Sequence, residues 1–141
     1  MILLDTDHLS IHAIPGGKAH DLLASRMLAS HEDFGTTIVC VEEQLRGWLA
    51  AIHRKHDVED QVIAYTHLGE LWDYYRDWPI LPFSTQSARR FKQLRKQKIR
   101  IGTQDLKIAA IALTHDALLL SANLRDFKQV PGLRVENWLS D

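Results

Sequence analysis

Acids stand at four points where an apolar run stops or a helical pattern starts. The run Met1–Leu4 ends on Asp5, within Asp5-Thr6-Asp7. Glu42 and Glu43 follow the β-branched, apolar run 36–41. Asp105 falls in the first turn of the helical pattern after Gly102, and Asp126 comes shortly after the apolar run 117–121. If these runs are neighbouring parallel strands, the four points share the carboxyl edge of the sheet, where open α/β sheets bind ligands. Two such charges about 4 Å apart repel by roughly 4 kcal/mol at an effective dielectric of 20. Either their pKa values rise or a cation neutralises them. An all-oxygen donor set with no cysteine suits Mg²⁺ or Mn²⁺. The chemistry expected of such a centre is metal-assisted attack of water on a phosphodiester. Each acid also has a simpler individual explanation. The helix dipole alone favours acids in first turns, Asp5 can cap the helix that follows it, and Asp126 can sit solvated in a loop. The expectation rests on their joint placement.

The elements that would carry these acids alternate. A strand over 1–4 leads into a short helix to about Ala13, capped by Thr6 or Asp7, and Pro15-Gly16-Gly17 breaks it. A second helix spans about 18–29, with Leu22, Leu23, Met27 and Leu28 near helical spacing. The run 36–41 reads as a second buried strand carrying Cys40. Val41, Leu45, Trp48, Leu49 and Ile52 make one apolar stripe, and Val58, Val62, Tyr65, Leu68, Trp72 and Tyr75 make another. The two stripes predict an antiparallel helical hairpin. Proline-flanked residues 79–83 suit an edge strand. A basic helix capped by Ser84, a helix over 104–115, a strand over 117–121, a loop over 122–132 and a last strand over 133–136 complete the chain. Strands alternating with helices imply an α/β fold, a parallel sheet with helices on both faces.

Composition narrows the setting. The 141 residues fit one domain, 1–141. A hydrophobic content of 45% and a charged content of 25% are globular values, which argues against disorder. The opening apolar run is too short for a signal peptide or a membrane span. The lone Cys40 allows no internal disulfide and no thiolate cluster, and points to a reducing, cytoplasmic setting. A net charge of -1 hides an uneven distribution: residues 84–101 hold seven of the 17 Lys and Arg and none of the 18 acids. Such a block, including Arg89, Lys92, Arg95 and Lys96, is a candidate grip for a nucleic-acid backbone, or simply a solvated helix face.

In register along the chain, Leu3-Leu4-Asp5-Thr6-Asp7, Glu43-Gln44-Leu45-Arg46-Gly47, Ile101-Gly102-Thr103-Gln104-Asp105 and Leu120-Ser121-Ala122-Asn123-Leu124-Arg125-Asp126-Phe127, with the tail Glu136-Asn137-Trp138, resemble the PIN-domain ribonucleases. The likeness is greatest to the VapC-type toxins of toxin–antitoxin pairs. It implies a five-stranded parallel sheet in the order 3-2-1-4-5, with Asp5 on the central strand. It also places the family's acids on Asp5, Glu43, Asp105 and Asp126, with Thr6, Ser121 and Asn123 as polar companions. The family pattern selects Glu43 over Glu42; helix periodicity does not. Asn123 and Asp126 compete as the fourth group nearest the metal. The resemblance further implies an Mg²⁺-dependent endoribonuclease, neutralised by a VapB-type antitoxin and assembling as a homodimer.

Two rival readings stand beside this one. Asp-x-Asp after a first strand also resembles the haloacid-dehalogenase-type phosphatases, with Asp5 as nucleophile, although Leu9 departs from that motif and the chain is short. A non-catalytic protein that binds RNA or a partner is the other. His8 and His12 are four apart, but no glutamate or third ligand joins them, so they read as ordinary polar positions, as do His53 and His56. Trp48, Trp72, Trp78 and Trp138 read as core or partner-interface residues.

Overall fold

A computed structural model describes all residues, 1–141. Strand β1 (Ile2–Leu4) lies at the centre of a five-stranded sheet. It is followed by α1 (Thr6–Ala13), α2 (Lys18–Ala29), β2 (Phe34–Thr37) and α3 (Ile38–His53). A 3-10 turn (Val58–Gln61) then leads to α4 (Val62–Tyr75), β3 (Ile80–Leu81), α5 (Thr85–Lys96), α6 (Thr103–Thr114), β4 (Leu118–Leu120), α7 (Leu124–Phe127) and β5 (Val135–Glu136). The strand order is β3-β2-β1-β4-β5 and every pairing is parallel, as the sequence implies. Ile2, Leu3 and Leu4 point alternately to opposite faces, yet all three are buried. Both faces of the sheet are therefore covered, which is why these strands read as unbroken apolar runs. With all strands parallel, the residues after β1, β2 and β4 emerge on one edge.

The second strand is shorter than its composition predicts. It ends at Thr37, and Ile38 already begins α3. The Thr37 hydroxyl accepts the Cys40 N–H at 3.1 Å and caps the helix, overriding the β propensity of Ile38, Val39 and Val41. Cys40 is thus buried in a first helical turn, not on a strand. At the other end of β2, Gly35 is required by packing: a Cβ there would lie 2.7 Å from the Pro79 carbonyl oxygen. That carbonyl accepts the Thr36 N–H at 3.0 Å and seats the proline-flanked edge strand β3. The cap of α1 is Asp5, whose carboxylate accepts the Thr6 N–H, rather than Thr6 or Asp7. The segment read as a loop over 122–132 contains α7, and β5 is limited to Val135 and Glu136.

The stripe assigned to α4 needs the largest correction. Its inner face is Ala64, Leu68, Leu71 and Tyr75, which packs on α3. Val58, Val62, Tyr65 and Trp72 face outward, with Trp72 60% exposed. Leu49, in the apolar stripe read on α3, is also exposed, as is Leu28 on α2. The apolar residues of α4 nearly encircle the helix, so spacing alone could not choose the face. No helix is long and apolar enough to cross a membrane.

Candidate active site

Asp5 sits where β1 stops and α1 begins, so the strand end and the helix cap converge on one carboxylate. It is 6% exposed. Its Oδ1 accepts the Thr6 N–H at 2.8 Å, and its Oδ2 accepts the Ser121 hydroxyl at 2.8 Å from the end of β4. The Cys40 thiol approaches Oδ1 at 3.7 Å from behind. Burial, and then the charge of Asp7, push the Asp5 carboxyl up to about 6. Burial and the Asp5 charge push the Cys40 thiol up to about 12, so it faces Asp5 as a neutral S–H.

Of the two adjacent glutamates, Glu43 turns toward the site. Its Oε2 accepts the Thr6 hydroxyl at 2.7 Å, and it is raised above the usual carboxylate range by burial, with the charges of Asp105 and Glu42 adding to it. Glu42 is held outside. It accepts the Gln104 amide at 2.8 Å and pairs with Arg46 at 2.7 Å, and the hydrogen bond from Gln104 lowers its pKa. The 100° step between consecutive helical residues separates the two roles.

Asp105, in the first turn of α6, is raised by burial and by the charges of Asp126 and Asp7, against the Asn123 hydrogen bond. Asn123 bridges Asp105 and Asp126, its amide nitrogen donating at 3.1 and 3.0 Å. The turn after β4 thus brings Ser121, Asn123 and Asp126 to the same edge. Asn123 lies between the two acids as a donor, and Asp126 stands behind it.

No three carboxylates close on a common point. Each is instead turned onto a neutral donor: Thr6, Ser121 or Asn123. The donor set still fits a hard divalent cation. It is made of oxygens, it lies on one edge, and three of its members (Asp5, Glu43 and Asp105) resist ionising together.

Two residues of the site were not evident from the sequence. Asp7, read as a cap, accepts the Ala122 N–H at 2.8 Å and the His8 ring Nδ1–H at 2.6 Å. Burial works to raise it, but these bonds outweigh burial and hold its pKa below the ordinary value. His8, read as an ordinary polar position, is fully buried. The only available signal was its place beside Leu9, and no sequence spacing connects it to the tail residue it touches.

The basic helix approaches the acids at one end only. α5 runs antiparallel beside α6, so its C-terminal end reaches toward Asp105. Arg89 and Arg90 instead line a polar cleft with Thr114, at the far end of α6. That end is about 14 Å from the turn carrying Asp105 at 1.5 Å per helical residue. The Arg95 guanidinium is committed to the carbonyls of Ile99 and Ile101, at 2.9 and 3.0 Å. It braces the segment that delivers Asp105. Arg89, Lys92 and Lys96 remain exposed.

No family model matches the chain. Among curated proteins it is similar to Ribonuclease VapC1 of Rickettsia felis, 48% identical over 60 residues, 40% of this chain and 45% of that protein. It is also similar to Ribonuclease VapC2 of Haemophilus influenzae, 38% identical over 77 residues, 52% of this chain and 58% of that protein. The chain spans about half the length of the curated relatives it matches. Solved structures extend the likeness over the whole chain. In DNA-bound VapBC from Salmonella typhimurium the match covers 97% of each chain, with a TM-score of 0.73 and 21% identity. In VapBC2 of Rickettsia felis bound to a promoter DNA fragment it covers 98% of this chain and 99% of that one, at a TM-score of 0.69 and 21% identity. The chain has the VapC-type PIN fold. In this frame Asp5 directly follows the central strand, and Glu43, Asp105 and Asn123 lie on the same edge of the sheet.

Proposed function

We propose that the chain is an Mg²⁺-dependent endoribonuclease and the toxin of a toxin–antitoxin pair. The observation that carries this reading is the gathering of Asp5, Glu43, Asp105 and Asp126 at the carboxyl edge, where Ser121 and the Thr6 N–H hold Asp5, the Thr6 hydroxyl holds Glu43 and Asn123 joins Asp105 to Asp126. The likeness to proteins named Ribonuclease VapC supports it. When bound, Mg²⁺ (or Mn²⁺) supplies a more acidic water and charge compensation at phosphorus. Asp5, Glu43 and Asp105 would hold it, with Asp126 as an outer acid. The chain's own residues do the rest. Ser121 and Thr6 hold the acids in place, and Asn123 keeps Asp105 and Asp126 apart. Arg89, Lys92 and Lys96 offer positive charge to an RNA backbone, with an affinity that falls as salt rises.

The partner is read as a VapB-type antitoxin, since the structural neighbours are VapBC complexes. A groove of about 680 Å³ between the end of α1 and the α3–α4 hairpin, lined by Ile14, Trp48, Leu71 and Tyr74, suits an apolar segment of it. Homodimerisation and a cytoplasmic setting belong to the same reading.

The test is RNA cleavage by the purified chain with Mg²⁺. Removing a metal ligand forfeits several kcal/mol of transition-state stabilisation, so Asp5→Asn lowers cleavage by about a hundredfold or more. A chelator abolishes it. Cleavage undiminished in either case sinks the proposal. A phosphoryl group trapped covalently on Asp5 would replace it with the phosphatase reading.

A further inference from the structure

We propose that His8 is a positioning residue for the carboxylate edge, and that the C-terminal tail sets its tautomer. The part concerning cleavage rests on the nuclease reading above. The His8 ring is completely buried in α1, and both of its nitrogens have a partner. Nε2 lies 3.1 Å from the backbone nitrogen of Trp138. A backbone N–H can only donate, so Nε2 must be the bare, accepting nitrogen. The ring proton is then on Nδ1, which donates to Asp7 at 2.6 Å. Asp7 uses its other oxygen to hold the Ala122 N–H at 2.8 Å, next to Ser121 in the turn after β4. Ser121 in turn donates to Asp5 and accepts the Asn123 N–H at 3.0 Å. One continuous set of hydrogen bonds therefore runs from the tail, through His8 and Asp7, into the turn that presents Ser121 and Asn123.

The tail is built to hold its end of this chain. Arg26 grips the carbonyls of Asn137 and Ser140 at 3.4 and 3.2 Å. The Asn137 side chain accepts the Leu139 N–H at 2.9 Å. The Trp138 ring meets Phe34 edge-on, and its indole N–H donates to Glu136 at 2.7 Å. A buried imidazole is costly unless both nitrogens are satisfied, and here each partner specifies a different protonation state of its nitrogen. Outer hydrogen bonds of this kind fix ligand orientation and are commonly worth ten- to a hundredfold in activity or metal affinity.

The tautomer is read directly on the full-length ¹⁵N-labelled chain by two-bond proton–nitrogen correlation of the imidazoles. The expected state of His8 is neutral with the proton on Nδ1. Trp138→Ala keeps the backbone donor and keeps that state; Trp138→Pro removes the donor and loses it. A proton on Nε2 in the unmodified chain, or an unchanged state in Trp138→Pro, overturns the tail's role. In cleavage, His8→Asn places an amide donor near the position of Nδ1, whereas His8→Gln places its amide near Nε2. The Asn variant is expected to keep kcat within about threefold, and the Gln variant to lose about tenfold or more in kcat at unchanged KM. Equal kcat in the two variants overturns the positioning role. If even the unmodified chain cleaves no RNA under any metal condition, the nuclease reading fails, and the tautomer measurement still decides the connection between His8 and the tail.

Discussion

The carboxyl edge and the α3–α4 hairpin are finished to different degrees. At the edge, polar groups are buried (Asp5, His8, Thr36, Thr37 and Ser121), and no buried side-chain nitrogen or oxygen lacks a partner. What is left over there is charge: three acids raised together. On the hairpin, what is left over is apolar surface, with Val62, Ile63, Tyr65 and Trp72 open to solvent. One region has complete hydrogen bonding and unbalanced electrostatics. The outer face of the other is hydrophobically open, as surfaces that meet other molecules often are. The first kind of imbalance suits a cation, the second an apolar partner.

The largest effect that separates the regions is in the core beneath the edge. Leu120 is fully buried on β4, directly before Ser121. Leu120→Ala is expected to cost about 2–5 kcal/mol in denaturant unfolding, because the cavity lies inside the sheet and cannot collapse. A loss below about 1 kcal/mol would mean that the strand carrying Ser121 is not locked by packing.

The next effect has the opposite sign. The Asp5 carboxyl is raised to about 6 from an ordinary 3.8. Between those values the folded chain binds more protons than the unfolded one, so stability falls as pH rises through that window. Above pH 6 the full penalty is present, on the order of 3 kcal/mol at 1.36 kcal/mol per pKa unit. At pH 7 without divalent ions, Asp5→Asn is therefore expected to stabilise the chain by about 1–3 kcal/mol while removing activity. The gain should shrink toward pH 4, and Mg²⁺ should raise the melting temperature of the unmodified chain more than that of the variant. A destabilised variant at pH 7 would show that hydrogen bonding to Asp5, not its charge, dominates the edge.

The parallel sheet was legible because strands covered on both faces leave continuous apolar runs, and its order only through the family likeness. Asp5 and Asp105 were legible because each sits where such a run or a helix changes; the choice of Glu43 over Glu42, and Ser121 and Asn123, came through family likeness. The end of β2 was not legible, because a single Thr37–Cys40 cap outweighed a β-branched run. Asp7 and His8 were hidden because their roles depend on partners at Ala122 and Trp138, more than a hundred residues away in the chain. Arg95 looked like any other base of its helix until the carbonyls of Ile99 and Ile101 engaged it.

The inner and outer faces of α4 were the least legible element, and they carry the smallest predicted effect. Trp72 and Tyr75 are three residues apart and similar in hydrophobic character, yet Tyr75 is 5% exposed and Trp72 60%. The choice between them is made by where α3 lies, which a periodicity on α4 alone cannot encode. Trp72→Ser is expected to leave the unfolding free energy of the lone chain within about 0.5 kcal/mol of its starting value, as for exposed sites generally. The same substitution removes apolar surface worth about 25 cal/mol per Å² to any association that covers it. If the proposed homodimer covers this face, the substitution reduces concentration-dependent self-association in sedimentation while the melting curve stays put. A loss of more than about 1 kcal/mol in the lone chain would place Trp72 in the fold's own core and remove the contrast between the two regions.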